Sequence, residues 1–365
     1  MRTFEDQLTI NFAERWIDTA SKLVRGFDNL LSMGEIESDR TDKDLVYQED
    51  KMKLYQYRKT TQNVCQVPLL ICYALVNRQY MMDLEPDRSL IRNLLDLGLD
   101  IYIIDWGYPG KMDRFIEFDD YIDLYLSDAV DFVRRETGVP AVNLLGVCQG
   151  GTMAAIYTAL YPEKIRNLVA MVAPFDFSVD DGLLNLWAKY LDTDLVEESI
   201  GNIPGDLLNV AFLMLKPFSL MMDKYVGFLE TIDNPKNVDS FLRMEKWIFD
   251  SPDQAGAAWK KFVKELYQDN KLIKGQLTIN GRKVDLRNIT HPVLNIYAEK
   301  DHLVPPSSSQ PLEKYVGSRD ITTAAFPVGH IGIYVSSKTQ KQLPPLVAKW
   351  LWERSGECDA QREVG

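Results

Sequence analysis

The hexapeptide Gly146-Val147-Cys148-Gln149-Gly150-Gly151 constrains this chain more than any other feature. The apolar run Val142 to Val147 reads as a buried strand, and the small-residue segment Thr152 to Leu160 reads as a helix. Cys148 therefore falls on a tight strand-to-helix turn, where glycines leave room for strained backbone. Unpaired N–H groups and the macrodipole at a helix N-terminus favour anions, so a thiolate is stabilised there. A free cysteine is more often a small buried apolar residue. Here the glycine frame turns the expectation toward a nucleophile.

Sulfur decides which chemistry such a turn supports. A serine would hold an acyl group as an oxoester. A cysteine holds it as a thioester, which stays activated toward an attacking alcohol. Exchange between a thioester donor and Cys148 is nearly balanced, because the two thiols have similar basicity, and transfer to a hydroxyl is then downhill. The turn suits acyl transfer from a thioester to an alcohol.

The hexapeptide is the G-x-S-x-G nucleophile box of the α/β-hydrolases with sulfur in place of oxygen, and two partners follow in the chain order of that fold: nucleophile, acid, histidine. The strand-like run Pro292 to Ala298 is followed by Glu299-Lys300-Asp301-His302, which puts Asp301 where a triad acid belongs. The run Ile321 to Phe326 reads as a further strand, followed by Pro327-Val328-Gly329-His330. His330 is thus the candidate base, on the loop after the last strand. The chain has only three histidines. His291 precedes a proline at a strand start and reads as structural; His302 adjoins the acid with its side chain expected to point away from the site.

Composition excludes several classes. A chain of 365 residues with 46% hydrophobic residues builds one large domain with an insertion, or two domains. A net charge of -12 argues against a general nucleic-acid or anionic-membrane surface. The four cysteines (Cys65, Cys72, Cys148, Cys358) lack metal-ligand spacing and read as reduced thiols of a cytoplasmic protein; no metal and no cofactor are expected. The longest apolar run, Val67 to Val76, is too short to span a bilayer, and the N-terminus lacks a signal core.

Strands at Pro68–Val76, Asp100–Asp105, Val142–Val147 and Asn167–Ala173 alternate with helices at Ser89–Leu97 and Tyr121–Arg135. The expected fold class is α/β, an α/β-hydrolase core with a mostly parallel, doubly wound sheet. The alternation breaks between about Phe175 and Asn288, in a stretch rich in Leu, Phe, Met and Trp. The expected organisation is a catalytic core of residues 1–174 and 289–355, a mainly helical cap of residues 175–288, and a polar tail of residues 356–365. Val210 to Met222 is the most apolar part of the cap; the plain expectation is a buried helix, the functional one a mobile gate or an apolar surface for a partner or a greasy product. Phe12, Trp16, Leu23, Phe27 and Leu30 form a helical stripe within the first 40 residues that covers the core or docks a second protein.

The segments GVCQGG, DWGYP, LKPFS, LRMEKWIFDSPDQAG, LNIYAEKDHLVPP and FPVGHIGIYVS resemble the catalytic subunit of class III polyhydroxyalkanoate synthases, the PhaC type, over about Val46 to Trp352. The resemblance implies polymerisation of (R)-3-hydroxyacyl-CoA, with short monomers such as 3-hydroxybutyryl-CoA, into polyester with release of CoA. It also implies a PhaE-type partner subunit, a homodimer or hetero-oligomer, and residence at the surface of cytoplasmic polyester granules.

In the expected mechanism His330 takes the Cys148 proton and the thiolate attacks the CoA thioester. The oxyanion is received by the backbone N–H of Gln149 and by one from the loop after the Pro68–Val76 strand, with Val76 the candidate. A 3-hydroxyl then attacks an acyl thioester, and Asp301 either orients His330 or acts on the hydroxyl itself. Two other classes stay open: a thioesterase or depolymerase with the same triad, and an inactive granule-binding module.

Overall fold

The strand that leads into Cys148 lies in the middle of one sheet, with both faces covered. The computed structural model describes residues 41–85, 87–218 and 223–355. The N-terminal stripe, the tail 356–365 and Cys358 lie outside them. The strands are β1 (Lys43–Glu49), β2 (Met52–Tyr57), β3 (Leu69–Cys72), β4 (Ile101–Asp105), β5 (Val142–Val147), β6 (Ile165–Met171), β7 (Thr278–Ile279), β8 (Arg282–Lys283), β9 (Val293–Ala298) and β10 (Ile321–Phe326). Among the described residues one sheet runs β1-β2-β4-β3-β5-β6-β9-β10, and β7 pairs with β8 in a small hairpin. From β4 to β10 every pairing is parallel.

The residue patterns follow from this placement. β5 is buried at all six positions, as a parallel strand covered on both faces should be. In the antiparallel edge pair, β2 buries Met52, Leu54 and Tyr57 while β1 buries no residue, and the absence of a continuous apolar run hid the pair from the sequence. β3, β4, β5, β9 and β10 fall within the expected segments, trimmed by turns: β3 stops at Cys72, and the residues to Val76 form a loop. β6 begins two residues earlier than expected.

Helix α1 (Leu90–Asp96) is capped by Ser89, whose hydroxyl accepts from the Arg92 N–H at 2.8 Å. The helix expected from Tyr121 is a π-turn, Tyr121–Leu126, leading into α2 (Ser127–Thr137), which ends on left-handed Gly138. α3 (Gln149–Leu160) is buried along its whole length except Leu160, which its Gly, Ala and Thr residues permit. The long helix α5 (Ser337–Ser355) closes the other face against α1.

Between β6 and β9, neighbours in the sheet, the chain makes a run of helices that includes α4 (Pro235–Phe249). α4 is fastened to the core beside β3: Trp247 Nε1 donates to the Arg78 carbonyl at 2.7 Å and Tyr80 donates to Asp250 at 2.9 Å. Arg114 pairs with Glu197 at 2.7 Å on another edge of the insertion. The stretch from Val210 departs from the buried helix expected there. Its described part carries Val210, Met214 and Phe218 exposed, and Leu215 buried. The helix Gly205–Leu213 ends before the Lys216-Pro217 step, and a proline cannot continue a helical hydrogen-bond ladder.

Candidate active site

Cys148 sits between β5 and α3 with φ 54° and ψ -126°, a conformation that side chains other than glycine's rarely adopt and that costs on the order of 1–3 kcal/mol. The surroundings hold it there. Its N–H donates to the Met171 carbonyl at 2.9 Å, and its carbonyl accepts from the Gly151 N–H at 2.9 Å. Two glycines allow the turn to close. A Cβ on Gly146 would lie 2.4 Å from Gly151 Cα, and one on Gly150 would lie 2.2 Å from the Cys72 carbonyl oxygen. Neighbouring Val172 also has positive φ, 45°, and its N–H donates to Ile296 at 2.7 Å. The half-buried sulfur is therefore presented at the C-terminal edge of the sheet.

Asp301 and His330 arrive on the loops after β9 and β10. Two backbone bonds tie these loops, Glu299 N–H to Phe326 at 2.8 Å and Lys300 N–H to Val328 at 3.0 Å. The Asp301 Oδ2 to His330 Nδ1 distance is 2.7 Å, and both side chains are buried. Asp301 Oδ1 accepts from the Leu303 and Val304 N–H groups, each at 2.9 Å. The carboxylate can only accept, so Nδ1 carries the proton and Nε2 is left free for the Cys148 sulfur, which acts electrostatically on the ring. Burial opposes a charge on His330, but the Asp301 carboxylate and the Cys148 sulfur outweigh it and hold the imidazole well above the ordinary histidine range.

The expected oxyanion donors lie on the two segments that meet beneath Cys148. Gln149 opens α3, and its side-chain oxygen accepts the Leu75 N–H at 3.1 Å, locking the loop after β3 onto the Cys148 turn. That bond engages Leu75 and leaves Val76 next in line. Neither the Gln149 nor the Val76 backbone N–H has an acceptor among the described residues. His291 lies two residues before β9, at the far end of that strand from Asp301. His302 is half-buried and makes no bond to Asp301; burial, then the Lys216 charge, push its pKa down. Cys65 and Cys72 are buried, and burial pushes both thiols up. Among the described residues no group of three or more His, Cys, Asp or Glu side chains is arranged to hold a metal.

The family described as alpha/beta hydrolase fold matches residues 67–336, and the family described as Poly-beta-hydroxybutyrate polymerase (PhaC) N-terminus matches residues 23–94. The chain is 51% identical over 351 residues to the poly(3-hydroxyalkanoate) polymerase subunit PhaC of Allochromatium vinosum, covering 96% of this chain and 98% of that one. The chain belongs to the PhaC family. The PhaC subunit of a Synechocystis strain is 50% identical, covering 93% of this chain and 92% of its own. Among solved structures, the monoacylglycerol lipase of Paleococcus ferrophilus superposes with TM-score 0.54 at 17% identity, covering 83% of this chain and 99% of its own. An esterase from Thermogutta terrifontis superposes with TM-score 0.52 at 12% identity, covering 87% of this chain and 100% of its own. At such identities these two share the fold with this PhaC chain.

Sequence reasoning missed three aromatic residues around Cys148. Tyr73 follows β3, Tyr267 lies on the helical turn Phe262–Gln268 of the insertion, and Tyr334 lies on the turn after His330. All three are buried, and the Cys148 sulfur acts electrostatically on each. The spacing of Tyr334 four residues after His330 was the one signal in the sequence, since residues four apart share a helical face.

Proposed function

We propose that this chain polymerises (R)-3-hydroxyacyl-CoA through an acyl thioester on Cys148, with His330 as base and Asp301 as its orienting partner. The enzyme is an acyltransferase, a poly(3-hydroxyalkanoate) polymerase. The observation that carries the site assignment is a cysteine on a strained strand-to-helix turn facing a histidine bonded at 2.7 Å to a buried carboxylate.

His330 Nε2 accepts the Cys148 proton, and the thiolate attacks the thioester carbonyl. The oxyanion is received by the Gln149 and Val76 N–H groups. The bond from the carbonyl carbon to the CoA sulfur breaks, His330 returns the proton to that sulfur, and CoA leaves. In the next step a 3-hydroxyl gives its proton to His330 as its oxygen attacks an acyl thioester, forming the new ester and freeing a thiol. Asp301 supports the orienting role rather than direct attack on the hydroxyl. Its carboxylate oxygens already accept three hydrogen bonds, and its side chain is 0% exposed. Thioester chemistry at sulfur separates this reading from hydrolysis.

Short monomers such as 3-hydroxybutyryl-CoA, a PhaE-type partner subunit and residence at a granule surface belong to the same proposal. The exposed apolar side chains of the insertion, among them Trp187, Leu195, Val210 and Phe218, support contact with an apolar product or partner. Incubation with (R)-3-hydroxybutyryl-CoA, following free thiol and turbidity together, tests it. Both should rise, and faster with the partner subunit present. Soluble 3-hydroxybutyrate with no polymer would replace the polymerase with a hydrolase.

A further inference from the structure

The Tyr334 hydroxyl is a buried polar group with no partner in the protein. Its residue is 1% exposed, and the oxygen has no hydrogen-bond partner among the described residues. Leaving a hydroxyl buried and unpaired is unfavourable, and native structures keep few such groups without a reason. Its location supplies one. Tyr334 stands edge-on to the His330 ring, with centroids 6.4 Å apart. Tyr73 and Cys148 belong to the same apolar cluster.

The substituents of the acyl group around Cys148 are two. Its carbonyl oxygen is taken by the backbone donors, and the His330 Nε2 is taken by the sulfur and the proton it carries. The oxygen on carbon 3, two bonds from the carbonyl carbon, still lacks a partner. Of the three tyrosines around the sulfur, Tyr334 is the one whose hydroxyl is fully enclosed with no hydrogen-bond partner among the described residues. We propose that Tyr334 is a specificity-determining residue that hydrogen-bonds the 3-oxygen of the acyl group carried on Cys148. It selects hydroxylated acyl-CoA thioesters over plain fatty acyl-CoA thioesters and aims the oxygen that becomes the next ester. Burial foremost, reinforced by Tyr73, Cys148 and Asp301, raises the phenol well above its ordinary range, so it stays protonated and able to donate.

This inference rests on Cys148 as the acyl carrier, and the test separates the two. Single-turnover CoA release is measured with (R)-3-hydroxybutyryl-CoA and with butyryl-CoA, which lacks only the 3-hydroxyl, for the full chain and for Tyr334→Phe. Thiol release by the unaltered chain establishes the carrier; its absence defeats the carrier itself. The unaltered chain should acylate at least about tenfold faster with the hydroxylated thioester, the net contribution of one ordinary hydrogen bond. Tyr334→Phe should lose most of that ratio. A purely structural tyrosine would slow both substrates together and leave the ratio intact, which overturns the proposal. So does equal acylation of both thioesters by the unaltered chain. The melting temperature of Tyr334→Phe should equal or exceed that of the parent, because the hydroxyl has no protein partner to lose; a clear fall would reveal such a partner and count against the proposal.

Discussion

Between Val142 and Leu160 only Cys148 and Leu160 escape burial, whereas between Leu183 and Phe249 the helices leave Trp187, Tyr190, Leu195, Val210, Phe218 and Phe249 exposed. The first region spends its apolar residues on its own packing and supports one strained cysteine. The second leaves large apolar side chains in water, although it is fastened to the core by Trp247, Tyr80 and Arg114. A backbone held at φ 54° persists only where neighbours on every side leave it no alternative. Apolar exposure on the insertion is unfavourable for the isolated chain and becomes useful when a product or partner covers it.

Substitutions at the turn should sharpen this contrast most. Cys148→Ala should lower CoA release on the order of 10⁴-fold or more, while melting shifts by only a few degrees, read by thiol assay and calorimetry. Undiminished release would dissolve the assignment. Asp301→Asn should lower it by about 10³–10⁴-fold, because the imidazole loses the acceptor that sets its tautomer. The same change removes the main cause that raises His330, so in a Cys148→Ala background its NMR titration should move to lower pH. The sign for stability follows. A histidine raised on folding stabilises fully below its unfolded pKa of about 6.5, and that contribution fades as pH rises through the folded value. The stability gap between Cys148→Ala and its Asp301→Asn derivative should therefore narrow toward alkaline pH, measured by urea denaturation.

Two glycines put the regions side by side. Gly150→Ala would drive a methyl to 2.2 Å from the Cys72 carbonyl, and a cost of about 3 kcal/mol is expected. Gly227→Ala lies within the insertion helix Lys224–Thr231, where an added Cβ meets nothing within 4 Å. It should stabilise by about 0.5–1 kcal/mol. Equal effects at both sites, by denaturant titration, would break the comparison. The smallest change is expected for Phe218→Ser: stability within about 0.5 kcal/mol, with weaker co-sedimentation on polyester particles. Unchanged sedimentation would remove Phe218 from the product-facing surface.

The turn at Cys148 and the loops that carry Asp301 and His330 were legible because each follows a strand that reads as one in isolation: Val142 to Val147, Pro292 to Ala298 and Ile321 to Phe326. Chain order then named Cys148, Asp301 and His330, and tertiary contact brought the last two to 2.7 Å. The edge strands β1 and β2 were not legible, since a half-exposed pair carries no continuous apolar run. The stretch from Val210 was misjudged as buried because apolar composition tells that a side chain prefers to leave water, not whether the fold offers it a place.

Local patterns along the chain were enough for the fold class and for the strand-to-helix turn at Cys148, because strand, turn and helix preferences act between near neighbours. Packing settled the rest: the lock between Gln149 and Leu75, the three bonds on Asp301, and the gathering of Tyr73, Tyr267 and Tyr334 around the sulfur. Those contacts join residues far apart in the chain, and no periodicity encodes which side chains meet when separate loops converge at the edge of a sheet.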